Sequence, residues 1–177
     1  METRVVLFDP DTAHIFNNLY PLYLHDLSEF DGAHPNEHGV LEGEGVRTLV
    51  EQAEGQRGWL ETPAHLYPFL IIADGLPAGF NLIATHPYSV PKHIDYMVHE
   101  FFLLHYFRGK GVGEAAATQV FDRLRGVWEV FAMPNNPRAQ GFWRKTIARY
   151  TNGQYQEESG STVFGERQIF RFSNKVY

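Results

Sequence analysis

Residues 101–124, FFLLHYFRGKGVGEAAATQVFDRL, constrain the fold of this chain more than any other stretch. Large apolar residues run into a turn with glycines at 109, 111 and 113, and an alanine-rich amphipathic segment follows at once. That order spells a strand, a bare-backbone turn and a helix start. A helix N-terminus presents unpaired N–H groups and partial positive charge, so it attracts anions. Glycine adopts positive φ and lets another molecule approach the backbone. With Arg108 and Lys110 beside it, the turn suits a phosphate-bearing ligand. Its spacing is neither the G-x-x-x-x-G-K-[ST] of a nucleotide-binding loop nor the G-x-G-x-x-G of a dinucleotide fold. It reads R-x-x-G-x-G, at Arg108, Gly111 and Gly113.

The surrounding chain supplies the rest of a mixed sheet. A strand is expected at 3–9, then a helix capped by Asp11 or Thr12, with Ile15, Phe16, Leu19, Tyr20, Tyr23 and Leu27 on one stripe. Pro21 interrupts that stripe and predicts a kink or two helices. Residues 29–45 are polar and Gly-rich and read as a long loop, while 46–55 suit a short helix ended by Gly55. Strands follow at 67–74 and 77–87, joined by the turn signal DGLP, and at 96–105. A helix is expected over 113–125, a strand over 127–134, a helix over 138–150 and strand material over 161–173. The order β-α-α-β-β-β-α-β-α-β predicts an α/β (α+β) fold with helices on the faces of a mixed sheet.

At 177 residues, with no linker or repeat, the chain reads as a single domain over 1–177. The formal net charge of -6 argues against nucleic acid, whose phosphates need clustered Lys and Arg. There are no cysteines, so disulfides, thiolate nucleophiles and Cys-ligated zinc are excluded. The N-terminus lacks the apolar core of a signal peptide, and no apolar run approaches the ~20 residues of a membrane span. A cytoplasmic protein without a membrane partner is expected. HPNEH, at 34–38, matches a zinc-protease pattern, but Pro35 and Gly39 favour a loop over the helix such a site needs, and no metal is expected.

A second stretch gives the turn its context. In VFAMPNNPRAQGFWRK, residues 130–145, Asn136 is followed by Ala139, Phe142 and Trp143. The R-x-x-G-x-G turn and this spacing together resemble the GNAT superfamily of acyl-CoA-dependent N-acetyltransferases, in detail over 67–150 and in architecture elsewhere. The resemblance implies a mostly antiparallel central sheet with helices on both faces. It implies acetyl-CoA as cosubstrate, with its pyrophosphate on the N–H groups of Gly109, Lys110, Gly111, Val112 and Gly113, flanked by Arg108. The pantetheine arm would pair with backbone near Leu103 and His105, and Asn136 would reach it. Asn136 before Pro137 also makes a good helix N-cap.

The implied reaction is direct attack of a primary amine of a small molecule on the thioester. The amine must be neutral, so a base or a water chain must take its proton. His99 and Glu100 are the candidates. On a regular strand they face opposite ways, His99 with Met97, Phe101 and Leu103, and Glu100 with the other side. The resemblance supports either, and a bulge would swap the faces. The usual acid, a tyrosine seven residues after the Asn, is here Trp143, which cannot protonate a thiolate. A CoA thiol, with a pKa near the ~8.5 of free thiols, can leave unprotonated. Tyr150 and Tyr106 are substitutes between which nothing chooses. Tyr20, Tyr23, Asp26, Glu29, Phe30 and Asp31 are expected to form an aromatic, acidic wall for a cationic acceptor, although such aromatics equally suit helix core. A non-catalytic acyl-CoA-binding module and a transferase acting on protein N-termini or lysines are the alternatives, and a homodimer is left open.

Overall fold

The computed structural model describes residues 1–88 and 90–175. Among these residues seven strands form one sheet: β1 (Thr3–Leu7), β2 (Leu66–Ala73), β3 (Leu76–Ala84), β4 (Tyr96–Leu103), β5 (Val127–Ala132), β6 (Gln156–Thr162) and β7 (Gly165–Ser173). Their spatial order is β1-β2-β3-β4-β5-β7-β6, and every neighbouring pair is antiparallel except β4 and β5. The helices are α1 (Ala13–Asp31), α2 (Leu49–Gly55), α3 (Gly58–Glu61), α4 (Val112–Arg123) and α5 (Pro137–Tyr150). None is long and apolar enough to cross a membrane.

The sheet is covered on both sides, which is why β2 and β3 are apolar almost throughout rather than alternating. On one face α4 and α5 enclose Val120, Phe121, Trp128, Trp143 and Ile147. On the other, α1 and α3 enclose Phe16, Leu19, Tyr20, Trp59, Phe80, Leu82 and Met97.

Three local features differ from expectation. First, α1 passes Pro21 as one helix and ends at Gly32, whose φ is 72°. Proline removes only one ladder bond, and Phe16, Leu19 and Tyr20, buried against β3, hold the helix on the sheet. Its last turn absorbs Glu29, Phe30 and Asp31, which the sequence pattern assigns to a loop. Second, α2 starts three residues later than expected, at a reciprocal cap. Glu51 N–H donates to Thr48 Oγ1 (3.2 Å) and Arg47 N–H donates to Glu51 Oε2 (2.6 Å). Third, the C-terminal strand material is a hairpin, with β6 paired to β7 from Gln156↔Arg171 to Thr162↔Gly165.

Two irregularities of β4 set up the site. Its pairing with β5 stops after Tyr96↔Trp128, Met97↔Glu129 and Val98↔Val130. Beyond that point β4 stays with β3 and β5 stays with β7, so a wedge opens between them. In the β3–β4 register, Leu82 faces Glu100 but Ile83 faces Val98, so His99 is an extra residue, a bulge.

Candidate active site

The wedge is a cleft of about 250 Å³. Its walls are Tyr23 and Leu27 of α1, residues 98–101 of β4, residues 131–133 at the end of β5, Asn136, Ala139 and Trp143 of the α5 segment, and Phe164 and Arg167 of the hairpin. Both core faces contribute. On the α5 side Phe101 stacks on Phe142 (centroids 5.3 Å apart) and meets the edge of Trp143 (5.1 Å). On the α1 side the His99 ring is held edge-on between Trp59 (5.3 Å) and Phe164 (5.5 Å). The cleft therefore passes through the sheet.

The bulge overturns the expected facing of His99 and Glu100. With one extra residue in β4, Met97 packs in the α1-side core while Phe101 and Leu103 pack on the α5 side. His99 and Glu100 both turn to the α1 side, Nδ1 standing 3.7 Å from Oε1. That is too long for a hydrogen bond. His99 Nδ1 and Glu100 Oε2 are buried and have no hydrogen-bond partner among the described residues. A buried carboxylate oxygen without a donor is costly, so these atoms are suited to meet a third group. Burial, and then the negative charge of Glu100, push the hydroxyl pKa values of Tyr20 and Tyr23 well above the ordinary range. Tyr23 thus stays an O–H donor. It is also the tyrosine that lines the cleft. Tyr150 instead donates to Asp122 (3.0 Å), and Tyr106 is exposed on the turn.

Beyond β4 the chain makes a 3₁₀ turn, His105–Phe107, and enters the glycine motif. Gly109 and Gly111 have φ of 73° and 83°, and a Cβ added at either would meet nothing within 4 Å. This backbone is open to an incoming group. The first ladder bond of α4 runs from Ala115 N–H to Gly111 O (3.0 Å), so the N–H groups of Val112 and Gly113 have no acceptor inside the helix. Gly113 serves packing: a Cβ there would come within 3.0 Å of the Phe142 ring and 3.1 Å of Leu103.

Arg108 does more than flank this turn. Its Nε donates to Leu103 O (2.7 Å), and its Nη2 bonds Asp26 Oδ2 of α1, an oxygen also 3.3 Å from His105 Nε2. Arg108 thus ties α1 to the end of β4, and the Leu103 carbonyl already has a donor. Lys110 Nζ lies over the Tyr106 ring, 3.8 Å from its centroid. Asn136 caps α5 by accepting from Ala139 N–H (2.9 Å), and it also lines the cleft. Trp143 is buried, with 4% of its surface exposed.

Of the expected acceptor wall, Tyr23 reaches the cleft and Tyr20 packs behind it (5.9 Å). Phe30 and Asp31 do not line it. The Phe30 carbonyl accepts from Asn135 Nδ2 (2.5 Å), and exposed Asp31 accepts from Ala33 N–H (2.8 Å). Asp26 is committed to Arg108. The formally charged side chains in the lining are Glu100 and Arg167, one of each sign, so no excess of acid faces the cleft. Arg167 and Phe164 escape the sequence reading because polar β6 hides the hairpin that carries them. Trp59 escapes it because α3 is a single short turn.

The pattern of the acetyltransferase (GNAT) family matches residues 24–147. The chain belongs to this family. Among solved structures, it resembles aminoglycoside acetyltransferase AAC(6')-Ib in complex with ribostamycin and coenzyme A, with a TM-score of 0.66 and 14% identity over 98% of this chain and 94% of that one. An acetyltransferase from Thermus thermophilus gives 0.61 and 13%, covering 98% and 97%. A chimeric spermidine N-acetyltransferase from Vibrio cholerae and hSSAT gives 0.60 and 10%, covering 98% and 96%. At these identities the likeness is one of fold. No curated protein matches the sequence.

Proposed function

We propose that this GNAT protein transfers the acetyl group of acetyl-CoA to a primary amine of a small molecule. The observation that carries the reading is the wedge between β4 and β5, with an open glycine turn leading from one strand and an unpartnered Glu100 carboxylate inside it. The pyrophosphate is received by the backbone of residues 109–113, where N–H groups and the start of α4 favour an anion. Lys110 adds positive charge. The acyl arm enters the cleft along Phe101, Asn136, Ala139 and Trp143, while the amine comes from the side of Tyr23, His99 and Phe164.

Glu100 receives the proton that the ammonium must lose, and the nitrogen lone pair attacks the thioester carbonyl. The C–N bond forms, the C–S bond breaks with its electron pair leaving on sulfur, and the second N–H proton of the adduct passes to the thiolate or to solvent. Trp143 supplies a wall for this step and no proton. Tyr23, whose hydroxyl stays protonated, is the lining O–H able to hydrogen-bond the incoming amine or the carbonyl it attacks. The apolar walls exclude water, which strengthens each of these interactions.

Calorimetry tests the cosubstrate site. Asp tolerates the left-handed backbone at position 111 better than most residues, so Gly111→Asp should fold, but its carboxylate would face the pyrophosphate. Acetyl-CoA should bind the wild type in the micromolar range and the variant not measurably. Equal affinities in two folded proteins would refute the site. Trp143 in the usual tyrosine position favours one second reading, acyl-CoA binding without transfer, which predicts no thiol release with any amine.

A further inference from the structure

The cleft holds one cation that no ion pair explains. Arg167 stands on β7 opposite Gly160 of β6, two residues beyond the turn, and is half-buried in the cleft lining. Its Nη1 donates to the Glu166 carbonyl (2.8 Å), and no carboxylate lies within ion-pair distance among the described residues. Other arginines are placed differently: Arg144 bonds Glu157, Arg149 bonds Glu114 and Arg171 bonds Glu129. Glu100 and Arg167 act on Tyr23 in opposite directions, Glu100 raising its pKa and Arg167 lowering it, so both charges reach the same ring. Glu100 Oε2, meanwhile, is buried without a donor. The lining thus offers an acceptor for an ammonium proton and, separately, a guanidinium with no carboxylate partner among the described residues.

We infer that the acceptor is a small primary amine bearing a carboxylate, with Arg167 holding the carboxylate while Glu100 receives the amine's proton. This rests on the acetyl-transfer reading above. A guanidinium matches a carboxylate through two parallel N–H donors. One unpaired cation balances one negative charge, and Glu100 in the same cleft opposes a dianion, which disfavours a phosphate. A polyamine would set its second positive charge against Arg167, and like charges in a cleft select against a ligand. The wider hollow of about 410 Å³ across the Phe131–Phe164 pair does not compete for this role, because its Glu129 and Arg171 already satisfy each other at 2.7 Å. In the transfer, the ammonium proton passes to Glu100, the C–N bond replaces the C–S bond, the second nitrogen proton goes to the leaving thiolate or to solvent, and the product keeps its carboxylate on Arg167.

The test pairs kinetics with binding. Acceptors are α-, β- and γ-amino acids, their amides, phosphoethanolamine and spermidine, with thiol release as readout. One of the carboxylate-bearing amines should give the highest kcat/KM. Arg167→Gln should raise its KM by about 10-fold or more with kcat within a few-fold, while leaving the KM of the matching amide nearly unchanged. Arg167→Glu should shift preference toward spermidine. Equal use of acid and amide, preference for phosphoethanolamine or spermidine, or an unmoved KM in Arg167→Gln would overturn the assignment. Calorimetric titration of the same amino acids into the CoA-saturated protein separates the two claims. Arg167-dependent binding without thiol release leaves the anchor standing and removes the transferase. Acetylation indifferent to the carboxylate does the reverse, and no binding of any carboxylate-bearing amine overturns the anchor.

Discussion

His99 and Glu100, neighbours in sequence, turn to the same face of β4, with Nδ1 3.7 Å from Oε1 and neither Nδ1 nor Oε2 otherwise bonded among the described residues. A single bulged residue produces this, and it places two proton-accepting groups at the same wall of the cleft. Glu100 is the less exposed of the two, at 13% against 28%. Glu100→Gln should therefore lower kcat by about 10²-fold or more, as loss of a general base does. His99→Gln should lower it less. Steady-state kinetics of the two variants check the ranking, and the reverse order would assign the base to His99.

Trp143 should act through packing. It is buried and touches Phe101 (5.1 Å) and Phe142 (4.8 Å). Trp143→Phe should cost roughly 1–2 kcal/mol of stability through the space it leaves, while kcat changes only a few-fold. Denaturant unfolding and turnover measured on one preparation provide the comparison. A loss of kcat as large as that of Glu100→Gln would give the indole a role in the chemical step.

The hairpin that carries Phe164 and Arg167 is fastened to α5 by Arg144, whose Nε lies 3.0 Å from both oxygens of Glu157. These hydrogen bonds hold the Glu157 carboxyl below its ordinary value of 4.5, against a smaller opposing effect of burial. A carboxyl lowered on folding stabilises the protein above its unfolded pKa, and that contribution fades as pH falls through the lower folded value. Glu157→Gln should thus be less stable than wild type at pH 7, by about 1 kcal/mol after allowing for solvent screening. The gap should narrow as pH falls below 4.5, the ordinary carboxyl value, and close only once pH has passed the lower value at which folded Glu157 takes up its proton. Thermal melts across that range check it, and a gap independent of pH would show that the ion pair is not its source.

The parts of this site that sequence reveals are those with unusual backbone chemistry. Gly109, Gly111 and the Asn136–Pro137 cap are legible because only a few residue types adopt those conformations or make those bonds. The bulge at His99 is not legible, since nothing in YMVHEFFLL departs from ordinary strand composition and the irregularity lies in pairing with Leu82 and Ile83. β6, QEESGST, lies at the edge of the sheet with most of its residues exposed. It lacks the alternation that marks a half-buried strand, so the strand material read over 161–173 has no visible hairpin partner, and nothing in the sequence brings its Phe164 and Arg167 to the cleft. Asp26 reads as a free acid until α1 is laid across the end of β4, where Arg108 takes it.

The most direct measurement is acetyl transfer itself. The protein is mixed with acetyl-CoA and a panel of small primary amines, free thiol is followed with time, and products are identified by mass. Thiol release should be matched one-to-one by an N-acetylated amine and should fall about 10²-fold in Glu100→Gln while that variant still binds CoA. Tight, Gly111-dependent binding of acetyl-CoA with no amine consumed by the wild type would contradict it and leave an acyl-CoA-binding protein in place of an enzyme.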